Sequence, residues 1–253
     1  LVGGAGNDEA FFFGNQADYV FSLDSNDQII VRDTNTANGD EGADTLTSIE
    51  TFHFSDGDIQ NSTTKYEEFR VNTNTTNNQS LSSIIALTNG GFVVTWSSDQ
   101  DGSDYNIYAQ RYDNNGTAQG NEFRVNSYTT NSQAASSITK LTNGDFVVVW
   151  QSDGQDGSYN GVYAQRYDAN GVTLGNEFLV NSYTGDSQFE PSITALTDGG
   201  FAVAWTSVMR YGIYAQLYDA NGMTRSSEFR VNTFYSNSEF QSPSIIALTN
   251  SGF

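Results

Sequence analysis

Length, charge and composition exclude several classes of protein. The chain has 253 residues, with 30 Asp+Glu against 10 Lys+Arg, a formal net charge of −20, no cysteine and one histidine, while hydrophobic residues make up 37%. The charge repels nucleic-acid phosphates, and the lack of cysteine excludes disulfides and thiol catalysis. No apolar run reaches the roughly 18 residues of a membrane helix. We therefore predict a folded chain without nucleic-acid partners or membrane insertion.

The first predicted domain, residues 1–60, opens on a glycine-rich motif. Residues 3–11, Gly-Gly-Ala-Gly-Asn-Asp-Glu-Ala-Phe, match the nonapeptide G-G-x-G-x-D-x-U-x, with Ala10 in place of a larger apolar residue. Short apolar runs follow, and residues 42–57 read Gly-Ala-Asp-Thr-Leu-Thr-Ser-Ile-Glu-Thr-Phe-His-Phe-Ser-Asp-Gly. A polar, Ser/Thr-rich stretch near residues 58–66 predicts a connection to a second domain.

The second predicted domain, residues 66–253, is a tandem array. Glu68-Phe69-Arg70-Val71-Asn72 returns at 122–126, at 177–181 with leucine for arginine, and at 228–232. Ser83-Ile84 and the strand that ends in Trp96 return with similar spacing. The predicted repeats span 66–119, 120–174, 175–225 and, in part, 226–253. A period of this length is typical of propellers and solenoids.

Each repeat is predicted to form four short strands. Phe92, Val94 and Trp96 alternate with Val93 and Thr95, which is the period of two expected of a strand. Asn-Gly or Asp-Gly turn signals separate the apolar runs. We therefore predict an all-β fold with β-propeller-like four-stranded repeats, and an open stack of small β-modules is the alternative. Because a propeller needs at least four blades and the chain begins and stops inside motifs, we expect a fragment of a longer protein.

The two halves together are similar to one family. Residues 1–60 resemble the edge of an RTX (haemolysin-type calcium-binding) parallel β-roll, because 3–11 match its nonapeptide and 42–57 match the segment that commonly follows. The repeats of about 54 residues resemble the tandem arrays of very large RTX surface proteins. The resemblance implies calcium-dependent folding, type I secretion to the cell surface or medium, and an adhesin role.

Calcium is the predicted cofactor at two kinds of site. It takes six to eight oxygen ligands, so a site needs clustered carboxylates and carbonyls on a tight, glycine-permitted backbone. Gly3, Gly4, Gly6 and Asp8 are one predicted half-site. The loops after Trp96 and Trp150 supply further candidate ligands: Asp99, Asp101, Asp104, Asp153 and Asp156. A solvated Asp-Gly turn is the alternative for these loops, since the third repeat has no carboxylate there.

Aromatic residues are the candidates for a ligand site. Trp96, Trp150 and Trp205 occupy equivalent strand positions, for which core packing is the first interpretation. The alternative is sugar stacking, with Tyr105, Tyr159 and Tyr211 of the neighbouring loops beside acidic oxygens. The arginines at 70, 124 and 230 are expected to face solvent, and Arg111 and Arg166 to form inter-repeat ion pairs.

No enzymatic activity is predicted for this chain. His53 stands between two phenylalanines, where a structural role is expected, and no G-x-S-x-G, H-E-x-x-H or P-loop pattern is present. We expect a calcium-binding extracellular adhesion module whose partner is a cell-surface glycan or a protein receptor. A purely structural spacer and the accessory, non-catalytic part of a secreted hydrolase are the alternatives.

Overall fold

The chain folds as an all-β protein in two units. The computed structural model describes residue 2 and residues 8–24, 28–35, 42–49, 51–60, 68–102, 104–233, 242–249 and 252–253. Within these residues the one helical segment is a single 3-10 turn, Gln16–Asp18. The units are Leu1–Phe69 and Arg70–Phe253. The all-β prediction is confirmed.

The first unit contains two three-stranded sheets. Its strands are β1 (Glu9–Phe11), β2 (Tyr19–Leu23), β3 (Ile29–Asp33), β4 (Ala43–Leu46), β5 (Thr51–Phe54) and β6 (Gly57–Gln60). The sheets have the orders β1-β5-β6 and β2-β3-β4, and only β1 and β5 pair in parallel among these strands. Phe12, Tyr19, Phe52 and Phe54 pack ring against ring in its core. Gly3, Gly4 and Gly6 lie outside the described residues, so the β-roll stays a prediction.

The second unit contains three four-stranded antiparallel sheets, each with its strands in consecutive order. The first sheet has β7 (Gln79–Ala86), β8 (Phe92–Ser98), β9 (Asn106–Tyr112) and β10 (Phe123–Arg124). The second has β11 (Gln133–Lys140), β12 (Phe146–Asp153), β13 (Asn160–Tyr167) and β14 (Phe178–Leu179). The third has β15 (Gln188–Ala195), β16 (Phe201–Ser207), β17 (Gly212–Tyr218) and β18 (Phe229–Arg230). These are propeller-like four-stranded repeats, as the sequence predicts.

The sheets are offset from the predicted repeat boundaries. The Glu-Phe-Arg-Val-Asn motif, which opens each repeat in the sequence, supplies the last strand of the preceding sheet: Phe123 pairs with Ala109, and Phe229 pairs with Ala215. The repeats 120–174 and 175–225 therefore each contribute to two sheets. Periodicity alone cannot reveal this offset, because a repeat may be cut at any point without changing its period.

Adjacent sheets pack face to face through buried hydrophobic side chains. Val147 and Val149 of β12 pack against Phe201, Val203 and Trp205 of the third sheet. On the opposite face of β12, Phe146, Val148 and Trp150 pack against Val93, Ile107 and Ala109 of the first sheet. An aromatic face thus meets a small aliphatic face at both junctions. Burial of each large side chain contributes about 2–3 kcal/mol before entropy is subtracted.

Side-chain hydrogen bonds also join neighbouring repeats. Tyr167 Oη donates to the Val125 carbonyl at 3.2 Å, and Tyr218 Oη donates to the Val180 carbonyl at 3.0 Å. Burial raises the pKa of both phenols, so they remain donors well into the alkaline range. Ser137 Oγ accepts from the backbone N–H of Ile193 at 3.4 Å, which gives the recurring Ser-Ile pair a structural role.

The inter-repeat arginines bind carbonyls instead of carboxylates. Arg111 Nη1 donates to the backbone oxygen of Asn170, and Arg166 Nη1 donates to that of Asn221 at 2.6 Å. Both acceptors belong to the Asn-Gly turn of the next repeat, where a glycine at positive φ follows (Gly171 at 82°, Gly222 at 80°). The inter-repeat location is confirmed, but the predicted ion pairs are wrong because the turn presents an unpaired carbonyl at that point.

Candidate functional site

The candidate residues of the second unit gather at one edge of its sheets. In an antiparallel sheet of consecutive strands, the loop between the second and third strands and the connection to the next sheet lie at the same end. Two backbone bonds join them directly: Gln133 N–H donates to the Tyr105 carbonyl at 2.7 Å, and Val208 N–H to the Ser187 carbonyl at 3.1 Å. We call the loops 99–102 with 104–105, 154–159 and 208–211, together with the connections 125–132 and 180–187, the loop edge.

A glutamate from each Glu-Phe-Arg-Val-Asn motif holds each loop in place. We call Glu122, Glu177 and Glu228 the bridging glutamates. Glu177 accepts from Gln155 Nε2 at 2.6 Å and from the backbone N–H of Ser127 at 2.7 Å. Glu122 makes the equivalent contacts with Gln100 and Thr73, and Glu228 makes them with Arg210 and Ser182. Each carboxylate thus joins its own sheet's loop to the preceding connection.

The aspartates of the first loop bind protein groups through side-chain or backbone oxygens. Asp99 Oδ1 accepts from the backbone N–H of Asn78 at 2.9 Å. Asp101 Oδ2 accepts from Asn106 Nδ2 at 2.9 Å and lies 3.5 Å from Arg124 Nη1. The backbone oxygen of Asp104 also accepts from Asn106, at 3.3 Å. These contacts are the ones expected of a loop that is organised by its own hydrogen bonds.

The second loop keeps the aspartate but changes its surroundings. Asp156 Oδ1 accepts from Ser158 N–H at 3.1 Å, whereas Oδ2 is buried without a hydrogen-bond partner in the described chain. Gly161 and Leu179 stand where the first sheet has Asn106 and Arg124. Asp153 accepts through its backbone oxygen, from Asn131 Nδ2 at 3.4 Å.

Calcium at these loops receives no support from the geometry. The described residues hold no group of three His, Cys, Asp or Glu side chains that could bind a metal ion. Asp99 and Asp101 already have protein partners, and Asp156 Oδ1 accepts from the Ser158 N–H. In the first unit Asp8 directly precedes β1, and its carbonyl accepts from Thr51 N–H at 3.2 Å. Its glycine partners lie outside the described residues, so that half-site stays a prediction.

The tryptophans belong to the core. Trp150 and Trp205 are buried at the two junctions between sheets, so a sugar ring cannot stack on either indole, and the core interpretation replaces the sugar-stacking alternative there. Trp96 is also buried, but it lines a cavity of about 330 Å³ together with Arg70, Asn72 and Gln79. Its Nε1–H has no partner in the described chain.

Three tyrosine rings are exposed on the loop edge. Tyr159 is 59% exposed, Tyr211 is 44% exposed and Tyr183 is 40% exposed, whereas Tyr105 is half-buried. Tyr183 was missed at the sequence level. The signal that reveals it is the repeated Asn-Ser-Tyr-Thr at 126–129 and 181–184, which puts a tyrosine in each connection. These rings are the part of the predicted ligand site that the structure leaves accessible.

The third loop has a different construction from the first two. Arg210 bonds to Glu228, and its guanidinium carbon lies 3.8 Å from the centre of the Tyr214 ring and 5.1 Å from that of Tyr183. Arg230 Nη2 donates to the Tyr211 carbonyl at 2.8 Å, so this exposed arginine has a structural contact. Tyr211 has φ +46°, a left-handed conformation that is rare for a bulky residue.

His53 of the first unit contacts side chains of both neighbouring strands. Its Nδ1 lies 2.8 Å from Asp58 Oδ1, its Nε2 lies 3.5 Å from Glu9 Oε2, and its ring stacks on Phe11 at 4.3 Å. Glu9 and Asp58 belong to the two strands that flank β5. The histidine therefore links all three strands of this sheet.

Comparison with known proteins shows the fold. Neither a protein-family model nor a curated protein sequence matches the chain. The GH93 α-L-arabinofuranosidase of Fusarium graminearum, in a complex with arabinobiose, has TM-score 0.51 and 12% identity over 92% of this chain and 63% of that one. The endo-arabinase of Bacteroides thetaiotaomicron VPI-5482 has TM-score 0.44 and 14% identity over 87% of this chain and 81% of that one. The α-L-arabinanase of Penicillium chrysogenum has TM-score 0.44 and 14% identity over 84% and 58%.

The chain thus spans less than two thirds of the length of the Fusarium and Penicillium enzymes. At such identities the likeness concerns the arrangement of strands alone. None of the described segments forms a helix that could span a membrane. The chain is similar in fold to β-propeller proteins, in agreement with its four-stranded sheets.

Proposed function

We propose that this chain is a non-enzymatic carbohydrate-binding module of a larger secreted or surface-exposed protein. The observation that carries the proposal is the set of three exposed tyrosine rings, Tyr159, Tyr183 and Tyr211, on loops of one edge. A tyrosine offers a flat apolar face together with a hydroxyl, and sugars present both C–H faces and hydroxyls to such a surface. Loops held by internal hydrogen bonds lose little entropy when they bind.

The absence of catalysis is proposed from the roles of the loop-edge acids. Glycoside hydrolysis uses a pair of carboxyl groups that flank the scissile bond. The bridging glutamates and Asp99 instead accept hydrogen bonds from their own loops and connections. A carboxylate engaged in this way supports the frame. The alternative that the chain is the accessory part of a secreted hydrolase fits the same observations, because such a part would carry the binding site and not the catalytic pair.

The direct test is a binding assay on neutral oligosaccharides. We expect the chain to bind in a glycan array and in titration calorimetry, with arabinobiose, the ligand of the Fusarium complex, as the first probe. The double variant Tyr159→Ala/Tyr183→Ala should weaken binding, while Tyr167→Phe, whose ring is buried, should leave it unchanged. Failure of the wild-type chain to bind any immobilised glycan would refute the proposal.

Calcium, the RTX relationship and secretion are proposed for the first unit on the strength of its sequence motif. A cation that binds only the native state adds RT ln(1 + [L]/Kd), or about 2.7 kcal/mol at a hundredfold excess over Kd. We expect calcium to raise the melting temperature of the whole chain above its value in chelator. Asp8→Asn should remove this difference, and Asp99→Asn should keep it. Equal melting curves with calcium and chelator would contradict the calcium proposal.

A structural array is the second candidate, and one observation favours it. Ile84 in the first sheet is 62% exposed, whereas its equivalents Ile138 and Ile193 are 6% exposed beneath a preceding sheet. The cavity beside Trp96 lies on that same open face. Insertion of a second copy of residues 73–126 after Asn72 should raise the melting temperature if another repeat packs there. The same insertion with Val93 and Ile107 of the copy changed to aspartate is the control, and equal effects of both insertions would reject this candidate.

A further inference from the structure

The third loop differs from the other two in several coordinated positions. Residues 208–211 read Val-Met-Arg-Tyr, where the first two loops are acidic and glycine-rich. Arg210 replaces the glutamines that contact the bridging glutamates in the first and second loops. The connection changes as well: Asn77 and Asn131 donate to a loop carbonyl, whereas Asp186 at the same position is an acceptor. The loop and its support have changed together.

The buried carboxylate of Asp186 accepts hydrogen bonds that fix the backbone of the third loop. This residue is 1% exposed, and its Oδ2 accepts from Ser207 Oγ at 3.1 Å and from Met209 N–H at 2.5 Å. Its Oδ1 accepts from the Ser187 N–H at 2.6 Å. A buried carboxylate with three donors fixes the backbone on which Met209 stands. The loop is therefore pre-organised.

The side chains presented by this loop are apolar and accessible. Met209 is 60% exposed. Tyr211 follows Arg210 in the chain, and the Tyr183 ring centre lies 5.1 Å from the Arg210 guanidinium carbon. Tyr211 keeps its left-handed backbone because its N–H donates to the Val208 carbonyl at 3.1 Å and its own carbonyl accepts from Arg230. Strain at a bulky exposed residue, maintained by two hydrogen bonds, is a recognised property of binding sites.

We infer that Tyr183, Met209 and Tyr211 form the principal saccharide subsite of the loop edge and that it takes neutral sugars. The inference rests on the proposed function and locates it in one sheet. The charge of Arg210 is balanced by Glu228, and the chain carries a net charge of −20, which repels a carboxylated sugar. The first and second loops, which are rich in carboxylates, contribute less to binding.

The test uses the unusual backbone of Tyr211. Glycine is the residue best suited to φ +46°, so Tyr211→Gly removes the ring from the loop without imposing strain. Tyr159→Gly removes a ring that is still more exposed, at 59% against 44%, from the second loop and is the matched control. With arabinobiose and a neutral glycan array as probes, we expect Tyr211→Gly to weaken binding roughly tenfold or more, and Tyr159→Gly to change it less than about twofold. Thermal melting should show both variants folded.

Each outcome has one meaning. Wild-type binding that survives Tyr211→Gly, or that is lost equally in Tyr159→Gly, overturns the assignment to the third loop and leaves the proposed function intact. Tighter binding of a sialylated or uronic-acid oligosaccharide than of its neutral counterpart overturns the ligand class. If the wild-type chain binds no glycan, the proposed function itself is refuted. Met209→Ser, which keeps the backbone bond to Asp186, should weaken binding less than Tyr211→Gly does.

Discussion

The second and third loops occupy the same position in neighbouring sheets and are held in two different ways. In the second sheet a neutral glutamine reaches the bridging glutamate and Asn131 donates to the loop. In the third sheet an arginine reaches the glutamate and Asp186 accepts from the loop. A glutamate at the same position therefore holds its loop through either a neutral or a charged partner. The bridging glutamates fix where a loop lies, and the loop sequence is then free to specialise.

The largest expected effect tests the bridging glutamates. Glu228→Ala leaves Arg210 without its charge partner and removes both bonds to Ser182, so we expect a loss of about 3 kcal/mol of unfolding free energy. Glu177→Ala removes neutral donors only and should cost about 1–2 kcal/mol. Urea denaturation measures both. Equal losses would mean that the two loops are held in energetically equivalent ways.

A smaller effect is expected at the reversed contact. Asp186→Asn turns an acceptor of three bonds into a partial donor facing N–H groups, and we expect it to cost about 2 kcal/mol. The opposite exchange in the second sheet, Asn131→Asp, affects one bond of 3.4 Å and should cost less than about 1 kcal/mol. Thermal melting of the two variants compares them directly. A larger loss of stability in Asn131→Asp would mean that the second loop depends on its connection more than the third loop does.

Alkaline pH tests the environment of the buried Tyr163 phenol. Burial, and then the charges of Asp156 and Glu177, raise the pKa of Tyr163 to about 12. An unfolded tyrosine ionises near pH 10, so the unfolded chain loses this proton first and the free energy of unfolding falls as the pH rises from about 10 to 12. Tyr163→Phe should reduce this fall, with Tyr159→Phe as the exposed control. Identical pH profiles for wild type and Tyr163→Phe would contradict the prediction.

The smallest effect is expected when a hydrogen-bond donor is supplied to the buried Asp156 Oδ2. Gly161→Asn places an amide where Asn106 binds Asp101 in the first sheet, so it should supply a donor to the buried Asp156 Oδ2. The new Cβ would lie 2.8 Å from that oxygen, which requires the carboxylate to move slightly. We expect a gain of about 0.5–1 kcal/mol in denaturation experiments. Gly161→Ala, which adds the Cβ without the donor, is the control and should not stabilise the chain.

The part of the fold that follows local rules could be predicted. Alternation along Phe92–Trp96 and the Asn-Gly turns predict the four strands of each sheet, because side-chain period and turn geometry are properties of a few consecutive residues. Core packing of Trp150 follows from the same alternation. The offset of the fourth strand, by contrast, depends on whether Phe123 pairs with its own repeat or with Ala109 of the preceding one. Both pairings have the same local pattern.

Some residues of the candidate site could be recognised in the sequence, and others only in the structure. Tyr159 and Tyr211 are recognisable in the sequence as loop aromatics, and both rings are exposed. Tyr183 of the connection 180–187 and Arg210 of the third loop come together, with 5.1 Å between the ring centre and the guanidinium carbon, and no spacing in the sequence indicates this contact. Asp186 has the appearance of one more surface acid, yet it is 1% exposed and supports Met209.

The sequence by itself determined an all-β chain, its strands, its turns and its acidic loops, since these depend on neighbouring residues and on composition. Only the tertiary structure decided which strand completes which sheet and which carboxylates are internal bridges. It also decided which aromatic rings remain in contact with solvent. The physical reason is that hydrogen-bond partners and burial depend on residues about 20 to 60 positions apart, as with Glu177 and Ser127 or Arg166 and Asn221. Identical local patterns can therefore end in a core, a bridge or an exposed loop.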